Sequence, residues 1–471
     1  VKQVIWSGAL AVSLAISAHG QSAAAAGASP AVTHLAQAIQ YPTVSFQDRG
    51  QIDYSQFRAF RQFLEQTYPL TFSTLQVETV ADYSLLLTWP GSEPVLKPVL
   101  LDSHYDVVPI EPGTEQDWTH PPFSGAVSDG FLWGRGALDD KASVIATLEA
   151  VEALLRDGFQ PQRTLLFSLA HDEEIGGTDG AANIVRHLQD SGITLQYMIA
   201  EGGLIIAGNP LLPERDMAMI GLAEKTYVTL TLMAKGEGGH SSMPVQDNAI
   251  VRLSRALTRL HDNPFDTQLG PPVSDMLQIV GAELGGLKGF MLKNQWLSKP
   301  LLLSTMARDP LSNAMIRTTT AVTMFDAGIK ENVISQQAEA KVNFRLMPGF
   351  TTQQLIDGVR EIIDDGQIEI EAQQWKPGPP VADINGEGYQ RVKSAINAAY
   401  PQALVVPSLL TATTDSAHYV EVAPQIYRFH PFSLHVSDAG TIHSTNERIA
   451  VEAVERSVRI SRALVESAAR R

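Results

Sequence analysis

Cysteine is absent from the 471 residues, which removes disulfides, thiolate metal sites and a cysteine nucleophile together. Any metal held by this chain must be bound through nitrogen and oxygen, by His, Asp and Glu. Positive charge is scarce: 35 Lys and Arg stand against 51 Asp and Glu, a formal charge of −16. That balance disfavours a nucleic-acid surface or an anionic membrane as the main partner, since both select for Lys and Arg, and it suits a cationic cofactor. The apolar stretch from Val4 to Ala18 falls short of the roughly 20 residues that a membrane span requires. With Lys2 before it and small residues after it, 1–26 reads as a signal peptide cleaved after Gly20 or within Ala23–Ala26, and the protein is expected to be periplasmic or secreted.

What is present is the material of a globular protein, with 44% hydrophobic residues. The length exceeds the roughly 250–300 residues at which one core stops growing, so two lobes are expected. From about residue 32, apolar strands alternate with helices, the pattern of an α/β sheet covered on both faces. Pro98–Leu101, Leu165–Leu169 and Leu195–Ile199 read as buried strands, and Val144, Leu148, Val151 and Leu155 form one helical stripe.

Near residue 222 the pattern changes. Val228, Leu230 and Leu232 alternate with Thr229 and Thr231, as in a half-exposed strand, and a helix with Ile250, Leu253, Leu257 and Leu260 on one face follows. Strands near 318–325 and 338–346, a helix with Leu355, Val359 and Ile362, and a strand at Gln367–Glu371 complete a βαββαβ order, the ferredoxin-like split. Lys376-Pro-Gly-Pro-Pro380 reads as a hinge back to the first lobe. The expected division is therefore 1–26, 32–221, 222–376 with an insertion at 264–316, and 377–471.

Polar clusters follow the buried strands, where α/β sheets place ligands. In Asp102-Ser-His-Tyr-Asp106, His104 and Asp106 point to the same side. Such a pair is a metal ligand with its orienting carboxylate, or a structural pair. In Gly134-Arg-Gly-Ala-Leu-Asp-Asp-Lys141 two acids open a helix, where an N-cap is the plain alternative, and the missing third glycine excludes a dinucleotide fingerprint. His171-Asp-Glu-Glu174 crowds three carboxylates after a buried strand, Glu201 follows another, and His443 lies near the C-terminus. Each alone suits a loop. Together, two histidines and several carboxylates at strand ends of one sheet match two neighbouring divalent ions that share a carboxylate.

The ordered set DSHYDVVP, DWTHPPFSG, LWGRGALDDKA, HDEEIGGTDG, AEGG, GEGGHSSMP, ENVIS, NFRLMPG and GTIHSTNER, from about Gln40 to the C-terminus, resembles the di-zinc metallopeptidase and amidohydrolase family of aminoacylase, carboxypeptidase S, glutamate carboxypeptidase and succinyl-diaminopimelate desuccinylase. The likeness is nearest to the carboxypeptidase S and N-acyl-amino-acid hydrolase branch. It implies an α/β zinc-peptidase-like catalytic domain with a mixed, largely parallel sheet covered by helices, and an inserted ferredoxin-like α+β lid and dimerisation domain. It also implies two Zn2+ per chain, with Mn2+ or Co2+ as other suitable ions, and a homodimer without a stable membrane span. The implied reaction is cleavage of the amide or peptide bond of N-acyl-amino acids or short peptides with a free carboxylate. A dipeptidase with a polar pocket and a catalytically idle binding or scaffold homologue are the alternatives.

Carried over by motif, His104 and Glu201 would bind one metal and Glu174 and His443 the other, with Asp139 bridging, often ahead of a cis peptide. Asp106 would orient His104, and Glu173 would be the general base that takes a proton from the attacking water and returns it to the leaving amine. His240 would stabilise the oxyanion from the partner subunit. Arg345 would hold the substrate carboxylate, with Asn332 a second candidate and Asp415 a pocket residue. The chain departs from the family at Ala200-Glu201, where Asp-Glu is common, so ligation rests on Glu201. It departs again at Ala142-Ser143, where glycines are common. His120, His171, His418, His430 and His435 read as structural. The insertion's Leu284, Leu287, Phe290, Met291, Leu292, Trp296 and Leu301 read as packing or, alternatively, as an apolar wall for an acyl chain.

Overall fold

The structure, a computed structural model, describes residues 28–374 and 378–471. The expected leader and Lys376-Pro377 of the expected hinge lie outside the described residues. A ten-stranded mixed sheet forms the larger layer. At its centre Leu165–Ala170, Val99–His104, Tyr197–Ala200 and Ile426–Arg428 lie side by side and all parallel. Leu165–Ala170 and Val99–His104 are buried at every residue; helices cover both faces, which accounts for the apolar runs Leu165–Phe167 and Val99–Leu101, while Asp102, Ser103 and His104 are the polar end of the second strand. Antiparallel strands at Gln76–Val80 and Ser84–Trp89 finish one edge, and Met217–Glu224 continues the other.

The helix Lys141–Arg156 differs from the single-stripe expectation. Its first two turns are buried all round, because Pro30–Ile39, Pro69–Thr74 and Val451–Ala468 pack on it as well as the strand Val99–His104. Even Lys141 is buried, its Nζ donating to the carbonyls of Ala38 and Tyr41 at 3.1 and 2.5 Å.

A second, four-stranded antiparallel sheet runs in the order Thr319–Ala327, Gln337–Leu346, Thr226–Lys235, Ile368–Gln374. One face, carrying Val228, Leu230, Leu232, Val342, Phe344 and Leu346, packs under the helices Ala249–Asp262 and Thr352–Ile363. The first helix buries Ala249, Leu253, Ala256 and Leu260 and leaves Ile250 exposed, so its apolar face is one residue from the expected one. Similarly Ile363 rather than Ile362 is buried in the second. The strand period turns Tyr227, Thr229 and Arg345 to the other face, toward the large sheet. Residues 264–316 form four helices that pack against the edge of the large sheet through Val273, Leu277, Val280, Val406 and Leu409.

Candidate metal centre

Parallel neighbours deliver their C-terminal ends to one place, and those ends carry the site. His104 ends one strand, Glu173 and Glu174 open the turn after Leu165–Ala170, Glu201 follows Tyr197–Ala200, and His430 stands two residues beyond Ile426–Arg428. Asp139 comes from the loop before Lys141–Arg156, joined to Asp140 by a cis peptide. His443 comes from the loop before Arg448–Ala450.

The expected donors meet in two groups. His104 Nε2 lies 3.0 Å from Asp139 Oδ1 and 3.2 Å from Glu201 Oε2. His443 Nε2 lies 3.0 Å from Asp139 Oδ2 and 3.3 Å from Glu174 Oε1. Within each group the donor atoms all lie within 4.8 Å of one another, and Asp139 belongs to both. Burial works against charge on His104, yet Glu201, Asp106 and Asp139 together hold its pKa well above the usual histidine range. Contacts with Asp139 and Glu174 push His443 up to about 10. Glu174 is pushed up to about 7 by burial, against the opposing pull of His443.

These groups fit divalent cations. The donors are imidazole nitrogen and carboxylate oxygen, the set used by zinc, manganese and cobalt. The negative charge that burial penalises is what such ions would neutralise.

Further side chains hold the donors in place. Asp106 is fully buried, with Oδ1 3.3 Å from His104 Nδ1, and it accepts the backbone N–H groups of Glu173 and Glu174 at 3.1 and 3.2 Å. One carboxylate therefore ties the histidine to the Glu173-Glu174 turn. Asp172 accepts the N–H groups of Asp179 and Gly180, both at 2.7 Å, and closes the same loop. Gly177, at φ +62°, has no room for a side chain: a Cβ there would fall 1.8 Å from Asp415 Oδ1.

Two supports escaped the sequence reading. Glu447 is buried and accepts the N–H groups of Gly136, Leu138 and Asp139 while pairing with Arg135 Nη1 at 2.6 Å. It thereby fixes the loop that presents Asp139; its neighbours in GTIHSTNER hid it behind His443. His430, read as structural, joins Asp140 and Glu201 in a third group of buried donors, with Nδ1 2.9 Å from Ser143 Oγ and 3.2 Å from Asp140 Oδ1. Its place just beyond a buried strand was the available signal. The other four histidines read as structural stay outside the groups: His171 meets Ser84, His418 meets the Gly176 carbonyl, His120 lies tilted against Trp133 and His435 meets Ser437.

A cavity of about 700 Å³ opens over the donors. Asp139, Glu173, Glu174, Glu201 and His443 line one side, and Tyr227, Thr229, Arg345 and Gln373 of the four-stranded sheet line the other. Arg345 lies 4.6 Å over the Tyr227 ring and donates to Thr413 Oγ1 at 3.1 Å. Leu204, Leu410, Phe432 and Ile442 supply apolar lining. Asp415 is buried below the wall rather than lining it. His240, on the strand Gly239–His240, and Asn332, just before its partner strand Val333–Ile334, are exposed and do not line this cavity. None of the seven insertion side chains singled out above lines it either, which corrects the apolar-wall expectation: that segment packs against the far edge of the large sheet.

A largely parallel α/β sheet whose strand ends gather a shared-carboxylate donor set defines a metal-dependent peptidase or amidohydrolase. Residues 100–467 match Peptidase family M20/M25/M40, and the chain belongs to that family. It is 37% identical over 423 residues to the probable carboxypeptidase S-like 2 of Dictyostelium discoideum, covering 89% of this chain and 81% of the relative. It is 37% identical over 431 residues to the N-fatty-acyl-amino acid synthase/hydrolase PM20D1 of Mus musculus, covering 90% and 85%. In fold it is similar to the M20 family metallo-carboxypeptidase Sso-CP2 from Sulfolobus solfataricus, with a TM-score of 0.67 at 16% identity over 93% of this chain and 99% of that one.

Proposed function

We propose that this protein is a two-zinc hydrolase that cleaves the amide bond of N-acyl-amino acids, or of short peptides, beside a free carboxylate. One observation carries the reading: a single cavity joins the paired donor groups, Glu173, an arginine on the facing wall and an apolar lining. His104, Asp139 and Glu201 would hold one ion, and Asp139, Glu174 and His443 the other. Bound there, the ions would supply Lewis-acid polarisation of the scissile carbonyl and hydroxide at neutral pH.

The chain's own residues do the rest. Glu173 takes a proton from the attacking water and delivers it to the departing nitrogen; burial holds its pKa well above the usual carboxylate range. Arg345 forks onto the substrate carboxylate, and stacking on Tyr227 keeps the guanidinium aimed. Leu204, Leu410, Phe432 and Ile442 take the acyl chain. In this reading residues 222–376 form a lid and dimerisation domain, His240 completes a partner's cavity, and the enzyme works in the periplasm or outside the cell.

A substrate panel tests the assignment. Long-chain N-acyl-amino acids are expected to be hydrolysed with higher kcat/KM than dipeptides. The reverse order makes the protein a dipeptidase, and no turnover of either class by a fully metal-loaded protein makes it an idle homologue.

A further inference from the structure

The helices Gly286–Lys293 and Gln295–Met306 turn apolar side chains both inward and outward. Inward, Leu292 is buried, and Leu302, Leu303 and Met306 pack partly buried on the same cluster. Outward, Leu287, Phe290, Trp296, Leu297 and Leu301 are 53% to 82% exposed. These helices are covered on one side only, and five large apolar side chains exposed on consecutive helices exceed the scattered exposure of an ordinary surface.

The charge around them is inverted relative to the rest of the chain. Between residues 285 and 308 the sequence holds Lys288, Lys293, Lys299 and Arg308 and no acid, in a protein of formal charge −16. All four basic residues are exposed. The acids that flank this stretch are Glu283, paired with Arg215, Asp309, which caps the next short helix beside Arg308, and Asp275, next to the Ser274 whose carbonyl accepts from Gln295, so the four basic residues outnumber the two acids without a basic partner among the described residues. More distant acids are screened within about 8 Å at physiological ionic strength. Neither helix is long and apolar enough to cross a bilayer.

We propose that this face docks on a lipid bilayer bearing anionic headgroups. The two helices lie flat, with Leu287, Phe290, Trp296, Leu297 and Leu301 entering the acyl boundary and the lysines among the headgroups, the residue pairing of interfacial helices. A second copy of the chain fits less well, because a two-fold interface on this face would set one basic cluster against its duplicate.

Flotation of the metal-loaded full chain with phosphatidylcholine vesicles, alone and with phosphatidylglycerol, tests the proposal. Binding is expected to the phosphatidylglycerol vesicles, to weaken with added salt, and to fall at least about tenfold when Trp296→Ser, Leu297→Ser and Leu301→Ser are combined. Replacing Lys288, Lys293 and Lys299 by Ser should remove the preference for anionic lipid. Unchanged metal content and circular dichroism establish that the variants are folded. Absence of binding overturns the proposal, as does binding that persists in the serine variants. So does a patch whose replacement lowers the mass measured by light scattering without affecting vesicles, which would assign the face to a second copy.

Discussion

Asp139 turns one carboxylate oxygen to each of two histidines, Oδ1 to His104 Nε2 and Oδ2 to His443 Nε2, both at 3.0 Å. The two residues that it joins are far apart in sequence. Asp139→Asn removes the charge shared by both groups. Metal content is expected to fall from near two per chain to one or fewer, and kcat by at least about a hundredfold, since residues that merely orient ligands are worth 10–100-fold. Elemental analysis with steady-state kinetics checks it; two retained ions would refute a bridging role.

Glu173→Gln keeps the shape of the side chain and removes its base. Turnover is expected to fall by about 10²–10⁴-fold with both ions retained, the usual contribution of a positioned acid–base group. Near-normal turnover would exclude Glu173 from the proton transfer.

Arg345→Ala should raise KM for carboxylate substrates by roughly 10- to 100-fold, the value of a hydrogen-bonded charge pair of about 1.5–3 kcal/mol. Arg345→Lys should recover only part of it, because an ammonium lacks the planar fork. A substrate whose carboxylate is capped as an amide should lose little. Equal losses on capped and free substrates would place Arg345 outside substrate recognition.

Metal removal should reshape the pH dependence of stability. Without ions, burial raises Glu174 to about 7, while Asp139 and Glu174 raise His443 to about 10. Both folded-state values exceed the ordinary values of 4.5 and 6.5 for the free groups, so the folded apo protein holds protons that the unfolded chain releases. Their stabilising contribution is complete at low pH. It declines between pH 4.5 and about 7 for Glu174 and between 6.5 and about 10 for His443. The chelated protein should therefore lose stability as pH rises through this range, and loading it near neutrality should release protons, because ligands bind deprotonated. Thermal unfolding across pH and proton release in weak buffer measure the two effects. A chelated protein that gains stability as pH rises would contradict the assignment.

Glu447→Gln leaves Arg135 buried without its counter-charge and weakens the anchor of the Asp139 loop. A loss of about 3–5 kcal/mol in denaturant unfolding is expected, the cost of breaking a buried ion pair. A change below 1 kcal/mol, within what an exposed pair contributes, would show that the pair is not desolvated.

Much of this was legible in the chain. Apolar runs ending in polar clusters mark Val99–His104, Leu165–Ala170 and Tyr197–Ala200, because a strand buried on both faces favours apolar residues along most of its length. His104, Asp139, Glu174, Glu201 and His443 are legible because their motifs keep order and spacing. Helix faces were less legible: Ile250 and Ala249 differ by one step of a helix, and only packing on the second sheet decides that Ala249 is the one covered.

A chain without cysteine offers only nitrogen and oxygen ligands, so composition alone sets the donor chemistry, and local hydrophobic pattern sets which segments become buried strands. That Asp139 faces both His104 and His443, that Glu447 reaches back to anchor the Asp139 loop, that His430 joins the donor region, and that Leu287, Phe290 and Trp296 face outward rather than into the cavity emerges only on folding. Those are relations between segments brought together by strand order and packing. No local pattern encodes them, because the free energy that selects them belongs to the assembled sheet and its covering helices.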